Sequence, residues 1–500
     1  MRTHTLLTPI PATIAALAMA WCAAWPAHAT EDPTPDLHAA VPPATCGPGS
    51  QPETGLQGQV PSQDRRSGRS QQGYSCNLER VGQYQGEGAT WVSAVAGHCA
   101  YMPTSGLANK QKKSPGVQVI DVSRTDRPNL VTALDTRAFR AGTWESLKAS
   151  PSGKMLAGVG VGLLIGAGKF DLYDVSDCAN PQLLNKSSLT GDSLPSTNFA
   201  HEGEWSPDGK TYWSSGLVAG ALTAIDVSNP AKPKTLYFGG SSMLVNHGMA
   251  FNADGTRMYL ASIFPAGVGI YDVSDIQHRR TKRNVRQIAK LTWQDGSISQ
   301  KPLWVTIKGR PYLFVIDEAG ADGMAGGIHV IDIADEANPK LVSHIRLAIQ
   351  LQANAAVAKE DGANNGLFSY DAHYCSVDRV VEPTAMACGY FQAGIRVFDI
   401  RDPRQVREVA YFNPPAQVGK QALLRGSEHA LLPRSFKSIT DLVVNPLGAL
   451  SASPESQRAD LTADWCSSPP KFVNNELWTT CTDNGFMVLR FTNGAYPFKP

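Results

Sequence analysis

A short pattern recurs seven times along this chain, and a period of that kind restricts the fold more than any other feature of the sequence. Each copy sets a glycine or small residue before alternating apolar positions, then an aspartate and a turn rich in Asn, Pro and Ser. The copies are GVQVIDVS ending at Ser123, KFDLYDVS at Ser176, ALTAIDVS at Ser228, GVGIYDVS at Ser274, GIHVIDIA at Ala334, GIRVFDIR at Arg401 and GFMVLRFT at Thr492. The last departs from the rest, with Arg490 where Asp121, Asp174, Asp226, Asp272, Asp332 and Asp399 stand. Val, Ile, Tyr and Phe dominate these runs, which is strand chemistry. A second strand follows most copies. Two more precede them, best seen in EWSPDGKTYWSSG and AFNADGTRMYLAS, where Asp208-Gly209 and Asp254-Gly255 supply hairpin turns. Four antiparallel strands in a repeat of about 45 to 55 residues make a propeller blade.

Seven such blades over residues 76–500 predict an all-β, seven-bladed β-propeller. An open ring would expose sheet edges at its first and last blades, and the seventh copy, ending at about Thr492, lacks a fourth strand. CNLERVGQY, residues 76–84, carries the fourth-strand pattern just before the first blade begins. This N-terminal strand is expected to complete the last blade and close the ring. Residues 30–75, rich in Pro, Gly, Ser and Gln without an apolar period, read as an extended arm. Two long insertions, 350–367 and 413–460, join outer strands to the next inner strands.

The repeats resemble those of the LVIVD-repeat proteins, a propeller family of bacteria and archaea, from about Cys76 to Pro500. The resemblance implies the propeller and no particular activity, because the motif describes strand packing and a fold does not fix a function. More distantly, the chain is similar to the selenium-binding and methanethiol oxidase propellers. That likeness implies copper and sulfur chemistry without assigning residues.

Arg2, an apolar stretch from Ile10 to Trp25 and the A-x-A site Ala27-His28-Ala29 read as a signal peptide over residues 1–29, cleaved near Ala29. No later stretch reaches the length of a membrane span. A secreted or periplasmic monomer without a transmembrane anchor is expected. The 45 basic and 44 acidic side chains balance once Arg2 leaves with the signal, which argues against a nucleic-acid partner. The basic run Arg279, Arg280, Lys282, Arg283 and Arg286 reads as a solvated loop. Of nine cysteines, Cys22 departs with the signal and an even number remains, which suits disulfides in an oxidising compartment. Cys375 with Cys388 and Cys466 with Cys481 are each symmetric about an expected turn between inner and second strands, so each pair is expected to bridge. The pairing of Cys46, Cys76, Cys99 and Cys178 is left open by their spacing.

Aligning the inner strands on their turns exposes a register. His201 lies eight residues before Gly209, His247 eight before Gly255, and Glu145 eight before Gly153. His373 and Lys301 fall at the same level in two further blades. Inner strands start from the connection arriving from the previous blade, so these residues are expected at one channel mouth, the face that also receives the insertions. Three neutral imidazoles converging there suit copper, zinc or iron. His429, in Gly426-Ser427-Glu428-His429, is expected as a fourth ligand or a supporting group. Glu145 and Lys301 are candidate ligand-binding residues, and Glu202 and Asp371 candidates for proton transfer. A single histidine more often caps a blade by bonding a backbone carbonyl. The matched register is what favours a shared site.

The leading expectation is therefore a metal-binding propeller, a copper-dependent oxidoreductase of a small molecule being one form of it. The alternative is a non-enzymatic extracytoplasmic module whose insertions contact a protein, glycan or envelope component. A third reading is a hydrolase using Glu202 or Asp371 with a histidine base. The sequence has no G-x-S-x-G elbow, no phosphate-binding G-K-[ST] loop and no H-E-x-x-H motif. Gly158-Val159-Gly160-Val161-Gly162 leads into a strand instead of a helix, which removes a dinucleotide loop.

Overall fold

The computed structural model describes residues 39–106, 113–161, 166–185, 194–243, 245–321, 324–362, 368–431 and 460–498. The signal-peptide reading of residues 1–29 lies outside them, as do 363–367 and 432–459 of the two insertions. The fold is an all-β propeller built from antiparallel meanders. Strand pairing among the described residues forms six sheets: four of four strands, one of five, and one of eight in which two successive four-stranded units join at Ile263 and Ile298. The first unit comprises Ala94–Ala96, Cys99–Pro103, Val117–Asp121 and Asn129–Leu134, and the third Glu202–Trp205, Thr211–Ser215, Ala221–Asp226 and Lys234–Gly240. First strands of successive units lie against one another around the axis, while fourth strands are outermost and most exposed.

The repeated aspartate has a specific job. Its carboxylate accepts a hydrogen bond from the backbone N–H two residues on: Ser123 to Asp121, Ser176 to Asp174, Ser228 to Asp226, Ser274 to Asp272, Ala334 to Asp332 and Arg401 to Asp399, at 2.8–3.2 Å. This is an Asx turn, which fixes where the third strand stops and the fourth begins. Arg490, at the degenerate position, instead pairs with Glu476 on the neighbouring strand at 3.0 Å. The Asp-Gly hairpins form as read, with Gly209 and Gly255 at φ +66° and +73°, where a side chain would be strained.

The last unit, Lys471–Val473, Glu476–Cys481 and Gly485–Phe491, takes its fourth strand from Leu78–Tyr84, which pairs antiparallel with Gly485–Phe491. The preceding residues do not form a free arm. Tyr74–Cys76 adds a fifth strand to the sixth unit, beside Arg407–Asn413, and Cys46 is bonded to Cys76. Glu53 reaches the buried Arg396 guanidinium, which also holds Glu408 at 3.1 Å. Composition reads as an extended arm, and a disulfide and a buried ion pair anchor this segment.

Four disulfides are present: Cys46–Cys76, Cys99–Cys178, Cys375–Cys388 and Cys466–Cys481. Cys375 and Cys388 stand directly opposite each other in the ladder, as their symmetry required. Cys466 and Cys481 are bonded as expected, yet Cys466 lies before the paired part of its strand and bridges instead to Phe391 of the sixth unit. Among the described residues no helix is long and apolar enough to cross a membrane.

Arg396→Ala leaves Glu53 and Glu408 buried without their cation, and should lower stability by about 3–5 kcal/mol. Denaturant unfolding checks this. A loss under about 1 kcal/mol would mean that the N-terminal segment is not held by this ion pair.

Candidate metal centre

His201, His247 and His373 enter the centre of the ring from the starts of their inner strands, and the structure brings all three onto Glu145 and two of them, His247 and His373, also onto Glu318. Glu145 Oε2 is 3.0 Å from His201 Nε2 and 3.7 Å from His247 Nε2, while Glu145 Oε1 is 2.8 Å from His373 Nε2. Glu318 stands 3.4 Å from His247 Nε2 and 3.2 Å from His373 Nε2. The remaining nitrogens of two of the rings face outward to fixed groups. His373 Nδ1 lies 2.8 Å from the carbonyl of Ser467, so Nδ1 is the protonated nitrogen there, and His247 Nδ1 faces Glu202 Oε2 at 3.5 Å.

Local backbone features make the convergence possible. The pairing of Val245–Phe251 with Arg257–Ile263 slips between Asn246 and Met249, a bulge that re-aims the His247 side chain. A Cβ at Gly248 would come within 2.1 Å of Glu202 Oε2, so glycine beside His247 is what lets that carboxylate approach. Glu145 bridges in register to Glu202 and not to His201, one residue off the alignment by turn glycines. The same offset applies in the fifth unit. There Gln300 occupies the axial position, its amide donating to Glu145 Oε1 at 2.7 Å and lying 3.0 Å from His373 Nε2.

The centre is buried: His201, His247 and His373 are 3%, 3% and 0% exposed, and Glu145, Glu202 and Glu318 no more than 4%. Sequence reasoning placed it at an open mouth. Instead Trp91, Trp144, Phe368, Phe391 and Trp465 pack into a roof over it, with Trp144 against His201 and Trp91 and Phe391 against His373. The N-terminal segment ties this roof down. Arg65 donates to Asp460 and Thr462, which lead to Trp465, and to the Asp361 carbonyl of the first insertion.

Lys301 lies beside the histidines in another role, its ammonium 3.1 Å from Glu202 and paired with Glu204. Asp371 does not reach the histidines as a proton carrier. Its two oxygens accept the backbone N–H groups of Gly326 and Ser369 at 2.7 and 3.0 Å, and burial pushes its carboxyl up to about 7. His429 is likewise not a fourth member of the set. It belongs to a separate group, 2.8 Å from Asp483 and stacked on Trp465, because its helix Glu428–Leu431 docks behind the roof. Glu318 went unread, since it sits on a second strand and carries no inner-strand register.

Two other histidine groups are accounted for differently. His329 lies between Asp295 and Asp317 at 3.1 and 3.2 Å, and Arg346 pairs with Asp295 at 2.9 Å, so the charges there balance internally. Cys99 and Cys178, near His98, are consumed by their disulfide and offer no thiolate.

Electrostatics around the centre follow from packing carboxylates in a dry space. Burial alone would raise Glu145, but the surrounding imidazoles hold it well below the ordinary carboxylate range. Reciprocally, burial opposes charge on His247 and His373, yet Glu145 and Glu318 overcome it: His247 is raised well above its usual value and His373 is pushed up to about 9. Buried His and Glu groups that could hold a metal ion fall here into two sets that share Glu145, one with His201 and His247 and the other with Glu318 and His373. Donor atoms bonded to one ion at about 2.1 Å stand about 3–3.5 Å apart, and most of the separations above fall near that range.

No family model matches this sequence, and no curated protein matches it. Among solved structures, the chain is similar to the periplasmic gluconolactonase of Pseudomonas aeruginosa, at 13% identity over 51% of this chain and 72% of that one, with a TM-score of 0.38. It is also similar to a candidate 6-phosphogluconolactonase of Bacteroides fragilis, at 11% identity over 62% and 80%, TM-score 0.43. A third is a protein of unknown function from Desulfotomaculum acetoxidans, at 11% identity over 65% and 89%, TM-score 0.41. At these levels the likenesses carry no argument about activity.

A proton-loaded centre has a pH signature. In chelator-treated protein, His373 holds its proton up to about pH 9 when folded but only to about 6.5 when unfolded. Its contribution is complete below about pH 6.5 and is lost as pH rises towards 9. Thermal melts of the metal-free protein should therefore fall across that window; a melting temperature that rises across it would contradict the assignment.

Proposed function

We propose that this chain binds one transition-metal ion at the ring centre, with His201, His247 and His373 as nitrogen donors and Glu145 and Glu318 as oxygen donors. The observation that carries the reading is the setting of His373. Its Nδ1–H is committed to the Ser467 carbonyl, so Nε2 is the nitrogen aimed at the two carboxylates, and once the proton it shares with them leaves it is free to bind an ion, the arrangement in which a metal-binding histidine is held. Glu202 behind His247 Nδ1 has the same geometry, and that pair faces without a hydrogen bond, both atoms buried. With the imidazoles neutral, the buried carboxylates Glu145, Glu202 and Glu318 outnumber the nearby Lys148 and Lys301, and a divalent cation would supply the balancing charge.

Imidazole and carboxylate donors without thiolate or thioether suit zinc, iron or Cu(II) rather than Cu(I). Such an ion supplies Lewis-acid chemistry, and iron or copper also redox chemistry, on a small molecule reaching the site. A non-enzymatic module with a structural ion is the second reading, favoured by the burial of every donor. Export after cleavage near Ala29 and membership of the LVIVD-type propellers complete the proposal; the four disulfides support the first and the repeat the second.

Purified protein should carry about one equivalent of metal by elemental analysis, and His247→Ala should lose most of it. Glu202→Gln should keep the ion but bind it about 10–100-fold more weakly in competition with a chelator. Full metal retention by His247→Ala would remove this ligand set.

A further inference from the structure

The roof over the centre carries buried polar atoms that nothing among the described residues satisfies. His429 Nδ1 lies 2.8 Å from Asp483, whose carboxylate only accepts and favours the charged ring, so a proton sits on Nδ1 and, in the neutral ring reached in alkaline solution, Nε2 is the lone pair. That Nε2 is buried and has no hydrogen-bond partner. The indole N–H groups of Trp91 and Trp465 are buried donors without an acceptor. Leaving one such group unmet costs about 1–3 kcal/mol, and here three belong to one cluster of touching rings. His429 stacks on Trp465 at 4.5 Å, Trp465 packs on Trp91 at 5.9 Å and on Phe391 at 5.3 Å, and Phe391 reaches His373 at 4.8 Å. The group is not a second metal site. Asp464 is occupied by the N–H groups of Trp465, Asp483 and Asn484 and by the side chains of Thr482 and Asn484, and Asp483 by Ser427 and His429. Only one open donor atom, His429 Nε2, is left to it.

We propose that this aromatic roof is a binding site for a hydroxylated aromatic molecule of the phenol class. Its ring takes a place among Trp91, Phe391 and Trp465. Its hydroxyl donates to His429 Nε2 and accepts from an indole N–H, so that one group meets both kinds of unmet atom. The rings touch in the unliganded protein, so the ligand enters by turning one of them aside, and tryptophan emission reports the event. Position beside His373 makes such a molecule the substrate class of the proposed metal centre; that last step rests on the metal reading, while the binding site itself does not.

The test is titration of the full-length mature protein, metal-loaded and chelator-stripped, with phenol, anisole and toluene in mildly alkaline buffer. Tryptophan fluorescence is the readout, and metal content is measured separately. Phenol should bind saturably in both forms, with anisole, which accepts but cannot donate, and toluene at least tenfold weaker. Asp483→Asn keeps the shape of the pair but offers an amide N–H to Nδ1, moving the imidazole proton to Nε2; it should erase the preference for phenol over anisole. His429→Leu should do the same, with thermal melts showing that each variant is folded. Saturable phenol binding without metal upholds the site even if the metal reading fails. Absence of saturable phenol binding in both forms, or equal affinity for anisole and phenol in the parent protein, overturns the proposal.

Discussion

The antiparallel pairing of Leu78–Tyr84 with Gly485–Phe491 is the contact on which the rest of the molecule depends. A twisted array of meanders has two raw edges unless its ends meet. Joining them with a strand from the N-terminus fixes the radius of the ring, and with it the distance between inner strands that are far apart in sequence. Glu145 and His373 can lie 2.8 Å apart across a ring only if that ring is closed. The N-terminal segment then extends the same logic outward. Its disulfide, its fifth strand on the sixth unit and the Glu53–Arg396 pair all hold the region from which the closing strand departs.

At the centre the governing term is desolvation. Each carboxylate buried there would cost several kcal/mol if left bare, and the fold compensates by surrounding Glu145 with imidazoles and placing Lys301 beside Glu202. Protons on the histidines and a metal ion are alternative ways of supplying the same positive charge. The metal binding proposed above would therefore compete with protonation, and affinity for the ion should rise with pH as the imidazoles give up their protons.

Much of this was legible in the residues because repetition converts sequence spacing into position. The aspartate turn marks six of the seven repeats, so the repeats can be counted in the sequence, and their turns set His201, His247 and His373 at one level. The cysteines symmetric about a turn identified two of the disulfides, of which only Cys375–Cys388 is a directly opposed ladder pair. What stayed hidden was of a different kind. Glu318 reaches the centre from a second strand, where no repeat marks depth. Gln300 displaced Lys301 from the expected axial position through a one-residue offset that turn glycines do not report. His429 sits in an insertion, outside any register, and folds behind Trp465 instead of joining the set. The segment at 39–75 has the composition of a loose arm, but covalent and ionic ties outweigh composition.

Arg65 bonds Asp460, Thr462 and the Asp361 carbonyl, so the roof is tied to the N-terminal segment by polar contacts as well as to the β core. The account stands or falls on what occupies the space between the three Nε2 atoms. Anomalous diffraction at metal absorption edges from crystals of the exported protein would locate it directly. A single peak enclosed by His201, His247 and His373, with Glu145 or Glu318 within bonding distance, is the result this structure predicts. Density there explained by water alone, with the imidazoles bonded to the carboxylates as they stand, would contradict it.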